Sequence, residues 1–126
     1  MRLLVVEDQD VFRNGLRRLL EEEGFEVADA LDARAALECV PRFQPDVVLM
    51  DVNLPGMSGI EATRRLLRRA PQTAVVMLSM HEDGDLIRLA LDAGATCYLP
   101  KDASLEEILS TIQAAACSAA PLAINE

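Results

Sequence analysis

The chain has 126 residues, the size of one domain, so a single hydrophobic core is expected. Apolar residues make up 51% of it and charged residues 26%, which favours an ordered globule over a disordered chain. Twenty-one acidic against twelve basic side chains give a formal net charge of -9, a balance that argues against this chain gripping a nucleic-acid backbone directly.

Met1 leads at once into Leu3-Leu4-Val5-Val6 and then into acid. That apolar run is too short for a signal peptide or a membrane span, so no membrane association and a cytoplasmic location are expected. Leu3 to Val6 reads as the first strand. Phe12, Leu16, Leu19 and Leu20 then share one helical face, and Gly24 stands where that helix should stop. Phe25 to Ala28 is the second strand, and Ala33, Ala36, Leu37 and Val40 mark the second helix at i, i+3, i+4, i+7 spacing. Val47 to Met50 is the third strand, after which Ser58-x-x-Glu61 reads as a capping box opening the third helix. Ala74 to Leu78 is the fourth strand; its helix is capped by Asp83 or Asp85 and runs to Ala93-Gly94. Thr96 to Leu99 is the fifth strand, and Ser104-x-x-Glu107 opens a fifth helix with Leu105, Ile108, Leu109 and Ile112 as its buried stripe. Pro121 ends that helix, leaving residues 1–117 as the domain and 118–126 as a tail or the start of a linker.

Alternating short strands and helices are the signature of βαβ units, and strands one, three and four lack polar alternation, as when helices cover both faces of a parallel sheet. The fold class is therefore α/β, a single doubly wound five-stranded parallel sheet with five helices. Arg64, Arg65, Arg68 and Arg69 straddle Leu66 and Leu67, which makes a solvated face the favoured reading over a docking patch. Cys39, Cys97 and Cys117 have no C-x-x-C spacing and lie in apolar or alanine-rich stretches, so reduced core thiols are favoured over a disulfide or a metal.

Ligands of an open parallel sheet bind beyond the carboxyl ends of its strands. Four of the five ends carry reactive groups: Glu7-Asp8, Asp51, Ser79, and Lys101 after Tyr98-Leu99-Pro100. Three carboxylates in one pocket repel each other unless a cation resolves the conflict, and a few oxygen ligands open to water suit Mg2+. Asp51 could then attack a phosphoryl group to form an acyl phosphate, with Lys101 as a fixed counter-charge and Ser79 as a hydroxyl donor to a phosphoryl oxygen. Singly, each residue has an ordinary explanation. Glu7 and Asp8 could cap the first helix, Asp51 before Asn-Leu-Pro-Gly could be a plain turn, and Tyr98 could be half-buried packing. His81, beside Glu82 and Asp83, reads as a solvated side chain. The joint placement at four strand ends carries the functional reading.

Leu4-Val5-Val6-Glu7-Asp8, Asp51-Val-Asn-Leu-Pro-Gly-Met-Ser-Gly-Ile-Glu61, Leu78-Ser79-Met80-His81 and Tyr98-Leu99-Pro100-Lys101 together resemble a response-regulator receiver domain over essentially the whole chain. Leu78 to Asp83 and Ala95-x-x-Tyr-Leu-x-Lys101 are most similar to the NarL/FixJ subfamily, whose members usually continue into a LuxR-type helix-turn-helix domain. The resemblance implies the flavodoxin-like strand order 2-1-3-4-5 and phosphorylation of Asp51 by a sensor histidine kinase. It implies that Asp8 binds Mg2+ directly, Glu7 through water, and Asn53 by its backbone carbonyl. Ser79 and Lys101 match the phosphate-binding pair, and Tyr98 the aromatic switch that follows Ser79. The side chains of Asn53 and His81 occupy positions that tune acyl-phosphate hydrolysis. Phosphorylation would reshape the surface of helix four, strand five and helix five, control transcription through an absent DNA-binding domain, and could drive homodimerisation.

Two departures stand out. Asp102, not proline, follows Lys101, so the cis bond expected there would be a non-proline one costing about 3 kcal/mol. Cys97 stands where glycine is common. The resemblance implies a phosphoacceptor rather than an enzyme, beyond self-catalysed phosphorylation and dephosphorylation. The alternatives are a free-standing receiver acting by protein contact and an aspartate-nucleophile phosphatase, which would carry a second acid where Asn53 stands.

Overall fold

Five strands alternate with five helices in the computed structural model, which describes residues 1–80 and 84–119. In chain order they are β1 (Arg2–Val6), α1 (Asp10–Glu22), β2 (Glu26–Ala30), α2 (Ala33–Phe43), β3 (Val47–Asp51), α3 (Gly59–Arg69), β4 (Ala74–Ser79), α4 (Gly84–Asp92), β5 (Cys97–Pro100) and α5 (Leu105–Ala119). All pairings are parallel, in the order β2-β1-β3-β4-β5 that the sequence led us to expect.

Side chains alternate across the sheet and divide the core in two. Leu4, Val6, Val48, Met50, Val75 and Met77 pack under α2, α3 and α4, whereas Leu3, Val5, Val47, Leu49, Val76 and Leu78 pack under α1 and α5. This double cover explains why β1, β3 and β4 read as unbroken apolar runs. Several helix ends are also explained locally. Gly24 and Gly94 follow α1 and α4 at φ +97° and +112°, a region that L side chains rarely adopt. Ser104 and Glu107 form a reciprocal capping box before α5. At α3, Ser58 Oγ accepts from the Glu61 N–H, but the Glu61 carboxylate turns to Arg64 and Arg65, each at 3.1 Å, so only half the box forms. These two guanidinium groups hold the Glu61 carboxyl below its ordinary range, Arg65 more than Arg64. All four arginines of α3 are exposed, as the solvated-face reading expects.

Several boundaries differ from expectation. The β2 strand lies later, because its register with β1 runs from Arg2 opposite Glu26 to Val6 opposite Ala30, and Arg13 and Arg17 take up the charge of its Asp29. The β3, β4 and β5 strands each extend one residue further, to Asp51, Ser79 and Pro100. Leu19 is exposed at the edge of the α1 stripe. Cys39 and Cys97 are half-buried, and burial pushes both thiols up, but Cys117 is exposed because it falls on the outer side of α5. Asp85 sits inside the first turn of α4 rather than capping it; Asp83, His81 and Pro121 lie outside the described residues. The Lys101–Asp102 bond is trans, as the strong trans preference of a non-proline amide favours. Among the described residues no helix is long and apolar enough to cross a membrane.

Candidate functional site

The carboxyl ends of β1, β3, β4 and β5 are neighbours in the sheet, and the residues leaving them meet. Glu7 follows β1 with its side chain fully buried; its N–H donates to the Ala30 carbonyl, and its Oε2 accepts from the Gln9 N–H at 3.0 Å. Gln9 is the residue that caps α1, and it makes no side-chain cap. Neither Glu7 nor Asp8 is therefore the N-cap residue of α1, although Glu7 Oε2 does satisfy the Gln9 N–H at the start of the helix. Asp51, the last residue of β3, is only 3% exposed. Its Oδ1 accepts from the Asn53 N–H at 3.0 Å and its Oδ2 from Lys101 Nζ at 3.0 Å. Lys101 Nζ also lies 2.6 Å from Glu7 Oε1 and 5.2 Å from the centre of the Phe12 ring. Beyond that ion pair, Glu7 Oε1 has no hydrogen-bond donor among the described residues.

The electrostatics follow from this crowding. Burial, helped by Asp51, raises the Glu7 carboxyl above its ordinary value, outweighing the lowering by Lys101 and the Gln9 N–H. Burial by itself would lower the Lys101 ammonium, yet Glu7 and Asp51 together raise it. Exposed Asp8 completes the group: carboxylate oxygens of Glu7, Asp8 and Asp51 come within 4.8 Å of one another. Three hard oxygen donors, one of them open to solvent, fit a small divalent cation.

Ser79 is buried at the end of β4, and its carbonyl accepts from the Lys101 N–H at 2.9 Å, which ties the two strand ends together. Tyr98 is half-buried on β5 opposite Met77 and packs on the α2–α4 side of the core. By alternation along β4, Ser79 faces the side that Met77 faces, so hydroxyl and ring share one face of the sheet.

Two contributors were not singled out from the sequence. The Gly59 N–H donates to the Val52 carbonyl at 2.9 Å, and a Cβ at Gly59 would collide with the Asp51 carbonyl oxygen. Its only sequence signal was a glycine at the first position of a capped helix. Arg13, only 9% exposed, donates from Nη1 to the Glu7 carbonyl at 3.1 Å. An arginine one turn before Leu16 on the core-facing stripe of α1 was the available clue.

The family model of the response regulator receiver domain matches residues 3–113. The chain belongs to this family. The transcriptional regulatory protein DegU of Brevibacillus brevis is 37% identical over 118 residues, covering 92% of this chain and 50% of that protein. A LuxR-family two-component response regulator from Aurantimonas sp. SI85-9A1 superposes with a TM-score of 0.87 at 34% identity, covering 93% of this chain and 85% of that one. A response regulator from Burkholderia pseudomallei, solved with a phosphorylated aspartic acid, calcium ion and citrate, gives 0.85 at 28% identity, covering 93% of this chain and 69% of that one. The chain spans about half the length of the curated relatives it matches. It is a signalling domain, a receiver of two-component response regulators whose homologues are transcriptional regulators.

Proposed function

We propose that Asp51 is the phosphoacceptor of this receiver, that Lys101 and Ser79 bind the transferred phosphoryl group, and that Glu7, Asp8, Asp51 and the Asn53 carbonyl hold Mg2+. The observation that carries the reading is the single buried ammonium of Lys101 set between Asp51 and Glu7, within a cluster of three carboxylates. In the Burkholderia pseudomallei relative an aspartic acid is phosphorylated and a calcium ion is present. A cation bound here would offset the charge of the carboxylates and of the transferring oxygens. A carboxylate oxygen of Asp51 attacks phosphorus, the P–N bond of a phosphohistidine breaks, and the electron pair leaves with the histidine nitrogen. Lys101 stays within reach of the product oxygens, and the buried Ser79 hydroxyl donates to one of them.

The donor in this reading is a sensor histidine kinase in the cytoplasm, and the protein turns over no substrate of its own. Residues 1–117 form the receiver in this reading, although α5 runs on to Ala119, and 118–126 are a tail or the start of a linker to an output domain, the latter in line with the length of the relatives. Ser79 and Tyr98 form the switch, and the surface of α4, β5 and α5 carries the signal to a transcriptional output; homodimerisation on phosphorylation is a separate expectation, with no face assigned to it. The acceptor role is tested by incubation with acetyl phosphate. Wild type should gain one acid-stable, base-labile phosphoryl group with magnesium and none with EDTA, and Asp51→Asn should gain none. Repeated turnover of phosphate esters would instead indicate a phosphatase.

A further inference from the structure

We infer that Arg13, backed by Asp29, is a positioning residue that aims the Glu7–Asp8 acid pair into the metal cluster, an inference resting on the magnesium role proposed above. Each nitrogen group of the Arg13 guanidinium has its own partner. Nη1 donates to the Glu7 carbonyl at 3.1 Å, Nη2 pairs with Asp10 Oδ1 at 2.7 Å, and Nε lies 3.4 Å from Asp29 Oδ2. The side chain stands on the stripe of α1 that also buries Leu16 and Leu20, where an apolar residue would pack without burying a charge. What an apolar residue could not do is hold the Glu7 carbonyl.

That carbonyl sits at a critical joint. The Glu7 N–H is tied to Ala30, so the residue is the last rung between β1 and β2, while its C=O belongs to the peptide that leads into Asp8. Fixing the C=O fixes the plane of that peptide, and with it the direction in which Asp8 leaves the strand. Arg13 thus holds the acid pair from behind without touching the pocket, as outer partners hold metal ligands in general. Asp29 gives β2, whose end carries none of the acceptor chemistry, a part in the site. A three-way fork of this kind is specific to arginine, because its donors are spread over three nitrogens in one rigid plane, whereas an ammonium carries all of its donors on one atom.

Mg2+ affinity, read by titrating amide shifts of the full 126-residue chain where every variant is folded, tests this. Arg13→Ala should bind Mg2+ about tenfold more weakly than wild type, with faster hydrogen exchange at Asp8 in the metal-free state. Asp29→Asn should weaken binding in the same direction by less, and Arg13→Lys should fall between wild type and Arg13→Ala. Arg17→Ala, which removes the other cation near Asp29 but leaves the Glu7 carbonyl held, should bind like wild type. Lower melting temperatures with unchanged Mg2+ affinity in Arg13→Ala and Asp29→Asn would make Arg13 a stability residue and overturn the inference. Should Arg13→Ala not fold, Asp29→Asn and Arg13→Lys decide it. A wild type that takes up no Mg2+ would refute the metal reading itself, and the inference with it.

Discussion

Lys101 and Glu7 are shifted in the same direction for opposite reasons, and the consequences differ. The raised Lys101 value means that its ammonium stabilises the fold; this contribution is present below the ordinary value of 10.5 and is lost as pH climbs through the folded value. The raised Glu7 value means that its carboxylate is disfavoured in the fold, chiefly by burial. Stability is then lost as pH rises from the ordinary 4.5 through the raised value, and stays lower above it. Glu7→Gln removes this term and leaves Asp51 as a partner for Lys101. In metal-free buffer the variant should melt close to wild type at low pH and increasingly above it as pH rises through that interval. Saturating Mg2+ should reverse the order at neutral pH, since wild type retains the ligand. A melting-point difference that is flat with pH would overturn this account.

At the scale of elements, the local rules operated where one residue answers to one neighbour. Ser104 and Glu107 make their box, Gly24 and Gly94 take positive φ, and the apolar runs of β1, β3 and β4 are buried. The four strand-end sites were legible because each is a polar residue closing an apolar run. What stayed hidden depends on contacts between elements. The position of β2 is set by its register with β1, Glu61 prefers arginines to its own cap, and neither Gly59 nor Arg13 shows its partner in the local sequence. Gly59 makes a sharp test, because the start of α3 lies against the Asp51 carbonyl with no room for a methyl group. Gly59→Ala should cost about 1–3 kcal/mol and slow labelling of Asp51 by acetyl phosphate, since relief requires the acceptor loop or α3 to move. Gly15→Ala lies mid-helix in α1, where an added Cβ meets nothing within 4 Å, and should instead stabilise by about 1 kcal/mol. Chemical denaturation of both variants checks the contrast; equal and opposite signs from those stated would refute it.

At the scale of the molecule, the sheet separates the proposed acceptor, Asp51, from its proposed readout, Tyr98. Lys101 packs over Phe12 on the α1 and α5 side, whereas Tyr98 packs among the side chains covered by α2, α3 and α4. Ser79 joins the two: its backbone carbonyl is bound to the Lys101 N–H, and its side chain faces the Tyr98 side. In the proposed switch, a phosphoryl group drawing in the Ser79 hydroxyl would pull at a residue anchored to β5, and the packing of Tyr98 would adjust with it. Charge alone would be a weak lever, because a carboxylate is being replaced by another anion; the new hydrogen-bond geometry is the stronger one, biasing an equilibrium between two packings. Beryllium fluoride with Mg2+, as a phosphoryl mimic, should shift the amides of Tyr98 and of α4 and α5 while leaving α2 near its free positions. Ser79→Ala should still accept the mimic at Asp51 but lose most of the shift at Tyr98. Shifts that stop at the Asp51 loop in wild type, or that reach Tyr98 equally in Ser79→Ala, would break the proposed link between acceptor and surface.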